Sequence, residues 1–306
     1  MHLIINGALP PQNVAPDLAP HLREHCPVLV ERLNRNIAAE RKCPPEETGC
    51  TAQEFLALSA LGFVAPPGQT LSSGFGPLRA GISAPNEQVW VADLCSVAIG
   101  REGAKLAFPE SLHLNAEHAN ALFEAVKPLW TDTEISALPI ADGRWRVWLA
   151  QDARLTSITP AAVSLLSVSD WWPQDDSMKA WRKLLNEIQM VWHHHPVNEQ
   201  RAELGLEPIN SLWLYGGSRG WKALDQDSTQ IHYDKLTKSF LESDWASWIA
   251  QLQALSHYLE ALPAQATITL VGERRTVSLT ASQQRWWHTL LPRRNQDWMT
   301  WWTRQN

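Results

Sequence analysis

The sequence predicts an α/β protein, and three stretches carry that prediction. His2–Ile5 is a short apolar run closed by the turn dipeptide Asn6-Gly7, which reads as a buried strand. From Ser177 to His195, the residues Trp181, Leu184, Leu185, Ile188, Val191, Trp192 and His195 recur at helical spacing and form one apolar stripe. Ala266–Val271 and Thr276–Thr280 face each other across Gly272–Arg275, a hairpin signal.

The remaining elements follow in order. After the first strand, the prolines through Pro20 predict a loop, and Val28–Ala39 suits a helix. Residues 40–50, with Pro44-Pro45 and Gly49, read as a loop. Thr51 opens a helix with Glu54 three residues on, a capping-box pattern; Phe55, Leu58 and Leu61 share one face, and Gly62 stops it. The Gly-, Pro- and Ser-rich stretch Pro66–Gly81 reads as a loop between two lobes. Val89–Val97 is a strand, Leu114–Val126 a helix led by Asn115, and Arg144–Leu149 a strand. Pro196 ends the long helix, because the residue before proline avoids the helical region. A short helix Asn198–Leu204 stops at Gly205, and Ile209–Tyr215 runs as a strand into Gly216-Gly217. Ser243 caps a helix lined by Trp245, Trp248, Ile249, Leu252, Leu255, Leu259 and Leu262, which stops before Pro263. A short Trp-rich helix and tail close the chain, with no internal repeat or low-complexity tract.

Composition excludes several classes. At 306 residues and 44% hydrophobic, the chain can bury a large core in one domain or two closely joined ones. Charged residues are only 19%, which argues against disorder. Net charge is -6, and basic residues gather only in pairs, Arg274-Arg275 and Arg293-Arg294, so nucleic acid is not an expected partner. Cys26, Cys43, Cys50 and Cys95 contain no CxxC pair, which argues against structural zinc and for idle buried thiols in a reducing compartment. No basic leader and no apolar run of about 20 residues is present, so the expectation is a cytoplasmic protein with no membrane partner. The 17 tryptophans, including the pairs Trp171-Trp172, Trp286-Trp287 and Trp301-Trp302, are expected mainly in the core.

Two histidine motifs invite a metal reading. His21-Leu22-Arg23-Glu24-His25 matches H-x-x-E-H, but Pro20 and Pro27 bracket it and leave barely a helical turn, against a metallopeptidase. In His193-His194-His195, consecutive helical residues point about 100° apart, so the three cannot share one ion. There is no P-loop, no G-x-G-x-x-G after a strand and no G-x-S-x-G. Asp175-Asp176 precede a helix and read as its cap.

The most specific string is His195-Pro196-Val197-Asn198-Glu199-Gln200-Arg201, followed by Gly205, Pro208 and Asn210, and ending in Leu212-Trp213-Leu214-Tyr215-Gly216-Gly217. It resembles the HPVN-x-x-R…G…P-x-N segment of the archaeal-type cofactor-independent phosphoglycerate mutases. With Asn186–Met190 ahead and Asn210–Trp213 after, it looks still more like the bacterial RpfE-type regulatory proteins. Leu3–Gly7 is similar to the first mutase strand, which ends in Asp-Gly. Ala57–Phe63 is similar to the segment after the nucleophilic serine, Gly76–Ala80 to the Gly-Pro-x-Glu-Ala entry into the substrate lobe, and Arg144-Trp145-Arg146 to a Tyr-Arg-His strand there.

This resemblance implies an alkaline-phosphatase-like fold whose degenerate metal-type lobe (residues 1–65 and 216–306) is split around a substrate-type lobe (66–215). The departures then decide the expected function. Asn6 stands where the family has a metal-binding Asp, and an amide is a poorer ligand for a hard cation. Gln53 falls at the nucleophile position, with Thr51 the nearest hydroxyl. After Arg219 the histidines are His232, His257 and His288, none in an Asp-His or Gly-His pair. Two-metal phosphoryl transfer needs both clamps and an activated nucleophile. The expectation is therefore no catalytic residue, no metal and no cofactor. What remains is a candidate ligand set of Arg146, His195, Asn198, Arg201 and Asn210, for a phosphorylated or carboxylated small molecule. Each also has a structural reading: Asn198 as a helix cap, Arg201 paired with Glu199 or Glu203, Asn210 satisfying loop backbone. Three functions stay open: a non-catalytic regulatory or ligand-sensing homologue, a metal-dependent mutase or phosphatase with rearranged ligands, and a protein-interaction module acting through exposed Trp298, Trp301 and Trp302.

Overall fold

The computed structural model describes all residues except 102, 108, 132, 142, 151–152, 226–228, 282–297 and 304–306, and leaves out the side chains of 109 and 110. Trp286-Trp287, His288, Pro292 and Arg293-Arg294 lie outside the described residues. The strands are β1 His2–Ile5, β2 Asn36–Lys42, β3 Gln88–Cys95, β4 Val97–Gly100, β5 Gly103–Leu106, β6 Ser136–Ala141, β7 Arg144–Trp148, β8 Ser211–Arg219, β9 Gln230–Tyr233, β10 Thr267–Val271 and β11 Arg275–Ala281. The chain divides into two compact units, residues 1–43 with 226–306, and residues 44–225.

These divisions differ from 65/66 and 215/216. Helix Ala52–Ala60 puts Leu58 into the same cluster as Val91, Trp213 and Tyr215, so it joins the second unit. Strand β8 runs on past Tyr215, pairing with β3 as far as Gln88↔Arg219. The stretch Pro66–Gly81 is not a linker either. It contains a 3-10 turn, Leu71–Gly74, and a helix, Phe75–Ala80, whose Phe75, Gly76 and Pro77 are buried.

The first unit is built on a five-stranded sheet in the order β2-β11-β10-β1-β9. Strand β1 pairs in parallel with both neighbours, Ile5 lying opposite Tyr233 and Leu270. The hairpin β10–β11 forms as its alternation predicts, with Leu270 opposite Val277. Strand β2 adds to it antiparallel, so the expected helix Val28–Ala39 is instead a helix, Pro27–Arg35, followed by a strand. Ile37, Ala38 and Ala39 prefer pairing to β11 over continuing a helix. The proline-rich loop also proves to be a helix, Ala15–His25. Pro16 sits in its first turn, where a missing N–H has no intrahelical partner to lose, and Leu18, Ala19 and Leu22 bury one face. Helix Trp245–Ala261 adds Trp248, Leu252, Leu255 and Leu259, capped by Asp244 rather than Ser243, the Asp244 carboxylate accepting from Ser247 N at 3.1 Å.

Trp298, Trp301 and Trp302 belong to this core. They are 2%, 7% and 1% exposed, which corrects the expectation of an exposed aromatic tail. Trp302 donates its indole N–H to Ala15 O at 3.3 Å. The buried Arg275 guanidinium donates to the carbonyls of Trp301 (2.8 Å) and Trp302 (3.0 Å) and to Glu40 (2.9 Å). The large apolar area of the three rings favours the core, although the Trp301 N–H is buried without a partner among the described residues.

The second unit is built on an antiparallel sheet, β6-β7-β3-β8, with β4–β5 as a separate ribbon. Alternate residues of β3 face two cores: Trp90, Ala92 and Leu94 one, Val91 and Cys95 the other. Helices Ala116–Val126 and Lys179–His193 cover the first. Of the predicted stripe, Trp181, Leu184, Leu185, Ile188 and Trp192 are buried, whereas Val191 is exposed and His195 lies past the helix end; Trp192 stacks edge-on to Trp145 at 5.9 Å. Asn115 and Asp175 cap as read, accepting from His118 N (2.7 Å) and Ser177 N (2.9 Å). All four cysteines are buried thiols outside any disulfide. No helix among the described residues is long and apolar enough to cross a membrane.

Candidate functional site

In the first unit, the parallel strands β9, β1 and β10 end together, and the carboxyl ends of parallel strands are where such sheets hold ligands. Asn6 follows β1 directly. It is buried, and its Nδ2 donates to Asp234 Oδ1 at 2.5 Å, just past the end of β9. Gly7 then turns the chain with φ 70°, where a Cβ would meet Phe240 Cβ at 3.1 Å and Cγ at 3.3 Å. Asp234 went unseen in the sequence because it is followed by Lys235, not His, and meets Asn6 only through β1–β9 pairing.

This donor set does not fit a two-metal clamp. It offers one exposed carboxylate, already accepting from an amide, and one amide whose Oδ1 is buried without a partner among the described residues. The nucleophile position fits no better. Gln53 is exposed, and the Thr51 hydroxyl accepts from Glu54 N at 3.3 Å while Thr51 N donates to the Glu54 carboxylate at 3.1 Å. That is the predicted capping box; the hydroxyl also lies 3.4 Å from Glu54 Oε2, a carboxylate already occupied by Thr51 N, Thr159 and Arg79.

The candidate ligand set lies in the second unit, where internal partners hold it. Asn198 is fully bonded: Nδ2 donates to Trp192 O and Ile209 O, and Oδ1 accepts from Ile209 N, each at 2.8 Å. Asn210 mimics a strand residue against Val97, accepting from its N at 2.8 Å and donating to its O at 2.9 Å. Arg201 is 1% exposed and donates to Glu207 O and Leu112 O, each at 2.7 Å. Its Nη1 has no partner among the described residues, and burial pushes its pKa down. His195, not Asn198, caps helix Pro196–Glu203, its Nδ1 accepting from Val197 N at 3.2 Å. Burial pushes the His195 imidazole below its usual value. Arg146 pairs with Glu87 and stacks over Trp148 at 4.4 Å. Asn198, Arg201 and Asn210 share one knot around residues 207–210, while Arg146 is engaged elsewhere.

A buried charge network adjoins β3 and β8, assembled from stretches far apart in sequence. Arg144 grips Asp93 bidentately at 2.7 and 2.8 Å, the Tyr215 hydroxyl donates to Asp93 at 3.0 Å, and Arg79 donates to Tyr215 Oη and, at 3.0 Å, to Glu54. Arg79 also stacks on Phe75 at 4.4 Å. Burial, then the Asp93 charge, pushes the Tyr215 phenol far above its usual range, so it stays neutral. Two guanidiniums against two carboxylates leave this network balanced and internal.

A groove of about 360 Å³ opens beside the far end of β8. Phe63 and Trp221 pack at 4.9 Å in its wall, and Trp221 is fixed by its indole bond to Gly74 O at 3.0 Å. Gln69, Gln88, Ser218, Arg219 and Lys222 supply its polar lining, which has two cations and no carboxylate. The Gln69 Oε1 is buried without a partner among the described residues. Gly217, at φ 91°, passes so close to Trp90 that a Cβ would lie 2.3 Å from its ring. Nothing in the sequence flagged the groove, because its residues come from around 62–69, 88 and 217–222.

No family model matches the chain. Its similarity to curated proteins is local. It is 27% identical over 105 residues to a probable 2,3-bisphosphoglycerate-independent phosphoglycerate mutase of Geobacter sulfurreducens, covering 34% of this chain and 26% of that one. It is 25% identical over 150 residues to a 2,3-bisphosphoglycerate-independent phosphoglycerate mutase of Methanosarcina barkeri, covering 47% and 37%. The chain thus spans well under half the length of the curated relatives it matches. Among solved structures, a cofactor-independent phosphoglycerate mutase from Thermoplasma acidophilum aligns over 92% of this chain and 89% of its own, at 15% identity and a TM-score of 0.34. A Pyrococcus horikoshii protein aligns over 92% and 87%, at 11% identity and 0.43. The relation that stands is weak homology to the cofactor-independent phosphoglycerate mutases in sequence, on a mixed α/β architecture.

Proposed function

We propose that this chain is a non-catalytic relative of the cofactor-independent phosphoglycerate mutases that binds an anionic metabolite and reports its presence, the regulatory role that the RpfE-type resemblance implies. The observation that carries this reading is the groove at the end of β8, whose lining holds Arg219 and Lys222 and no carboxylate in a chain of net charge -6. An Arg fork matches a phosphate or carboxylate, a Lys adds a point charge, and the neutral amides and hydroxyl add donors. A volume of about 300–1,000 Å³ is usual for a small-molecule site, and the Phe63–Trp221 wall keeps part of this one dry.

In this reading Asn198, Arg201 and Asn210 act one step back from the ligand. They tie residues 207–210 to the body of the unit, and that entry sets the line of β8, whose far end presents Ser218 and Arg219. The ligand leaves as it came, because Asn6 and Gln53 stand where a metal ligand and a nucleophile are needed, and the nearest hydroxyl, Thr51, is tied into its helix cap.

The test is a thermal-shift titration with 3-phosphoglycerate, with and without manganese, on wild type and on Arg219→Ala and Lys222→Ala. A ligand at about a hundred times its dissociation constant stabilises the fold by roughly 2.7 kcal/mol. The expected result is a metal-independent shift, with affinity lowered about ten-fold or more in Arg219→Ala, in keeping with roughly 1.5–3 kcal/mol for a charged hydrogen bond. The Arg219 side chain is exposed and, among the described residues, donates to Pro85 O at 3.3 Å, so its loss leaves the fold intact. A shift that requires manganese, together with turnover, overturns the reading in favour of an active mutase or phosphatase.

A further inference from the structure

The helix Ala15–His25 carries the H-x-x-E-H motif through its last two turns, where the sequence allowed barely one. Its inner face is anchored by Leu18, Ala19 and Leu22, while His21, Glu24 and His25 are all exposed on the outer face. Positions i, i+3 and i+4 share one side of a helix. One ligand atom from each of the three lies within 4.8 Å of the others. The two imidazoles stack nearly parallel, 7° apart with centroids at 6.3 Å, and Glu24 Oε2 is 3.8 Å from His25 Nε2. Among the described residues this is the one group of three side chains placed to hold a metal ion.

We propose that His21, Glu24 and His25 form a binding site for a borderline first-row dication such as Zn²⁺. Two imidazoles and a carboxylate suit such an ion, and hard Mg²⁺ or Ca²⁺ prefer all-oxygen sets. Tetrahedral bonds of about 2.0–2.2 Å need ligand atoms about 3.3 Å apart, which exposed side chains reach by rotamer changes on a fixed helix. The site lies at the carboxyl end of the helix, where the macrodipole favours positive charge. Three protein ligands leave a fourth position for water or for a donor from another molecule. The site shares no residue with the Asn6–Asp234 pair, so the histidine variants tell metal held on this helix from metal held there.

The experiment is calorimetric titration of ZnCl₂ into the untagged, chelator-stripped full chain. The expected result is saturable binding of one ion per chain at micromolar concentrations. His21→Asn and His25→Asn each weaken it about ten-fold or more, Glu24→Gln weakens it less, and His193→Asn/His194→Asn leaves it unchanged. Circular dichroism confirms that each variant is folded. Binding that survives His21→Asn/His25→Asn, binding that is lost instead with His193 and His194, or no saturable binding at all overturns the site.

Discussion

The two units treat polar residues in opposite ways. In the first, the buried polar groups keep to the sheet and its strand ends: Asn6 meets Asp234, Thr269 meets Ser278, and Arg275 meets Glu40. Its interior is one cluster in which Trp248, Trp298 and Trp302 dominate. In the second, polar groups run through the interior: the Asn198–Arg201–Asn210 knot and the Glu54–Arg79–Tyr215–Asp93–Arg144 network each replace what apolar side chains could fill. The unit with the strand ends suited to a metal clamp offers there, among the described residues, one amide and one carboxylate. The unit that carries the mutase-like string uses it first to hold its own backbone. A matching recognition string therefore shows shared local architecture before it shows shared chemistry.

The sharpest way to break this contrast is in the first unit. Ending the chain before Trp298 removes three buried indoles and the carbonyls that Arg275 grips. A single buried Trp→Ala costs about 3–5 kcal/mol, so cooperative unfolding of this unit should disappear from calorimetry, and proteolysis should reach its sheet. An unchanged melt would return the tail to the role of a partner surface.

In the second unit, Asn198→Ala strands Ile209 N and the Ile209 carbonyl, while Trp192 O keeps its bond from His195 N at 3.1 Å. Leaving buried backbone groups unpaired costs about 1–3 kcal/mol each, so denaturant midpoints should fall by an amount equivalent to about 3 kcal/mol. Ligand affinity, measured where the variant is still folded, should stay near wild type. A variant of unchanged stability that has lost the ligand would place Asn198 in the site instead.

The smallest effect concerns His195. Burial lowers its pKa in the fold, and protonation would remove the Nδ1 lone pair that caps Val197 N. The unfolded chain, with an imidazole near 6.5, then binds more protons than the folded one, so stability rises with pH through that range. Its contribution is present above about pH 6.5 and is lost as the pH falls below it. Melting temperature should drop on acidification from pH 7.5 to 5.5, and His195→Asn, which caps without titrating, should flatten that part of the slope. A slope identical in the variant would assign the drop to other groups.

What was legible in the sequence was local. The Thr51–Glu54 box, the stripe on helix Lys179–His193 and the β10–β11 hairpin each fit within a window the eye can scan, and each formed as read. Proline content misled at Ala15–His25, since Pro16 in a first turn favours a helix. Ile37–Ala39 continue an apolar helical pattern, and only the pairing of Ala38 with Leu279 makes them a strand. The site was least legible. Asp234 lies beside Asn6 across 228 positions, and Arg219 shares a groove with Gln69, so no local pattern announces either. The polar string drew attention because it is dense in amides, yet hydrogen-bond partners on the backbone leave no trace in a sequence.

The place of β1 has a consequence for the order in which the chain comes off the ribosome. Its two neighbours, β9 and β10, are made from residues 230 and 267 onward, so Leu3, Ile4 and Ile5 wait with both edges unpaired while more than two hundred residues are added. At about 5–20 residues per second, that wait is on the order of tens of seconds. Meanwhile the second unit, continuous from 44 to 225, closes its sheet as soon as β8 emerges. Strand β1, made long before its partners, is thus among the last to find its place, and an apolar strand held open for so long is where a nascent-chain chaperone would be needed most.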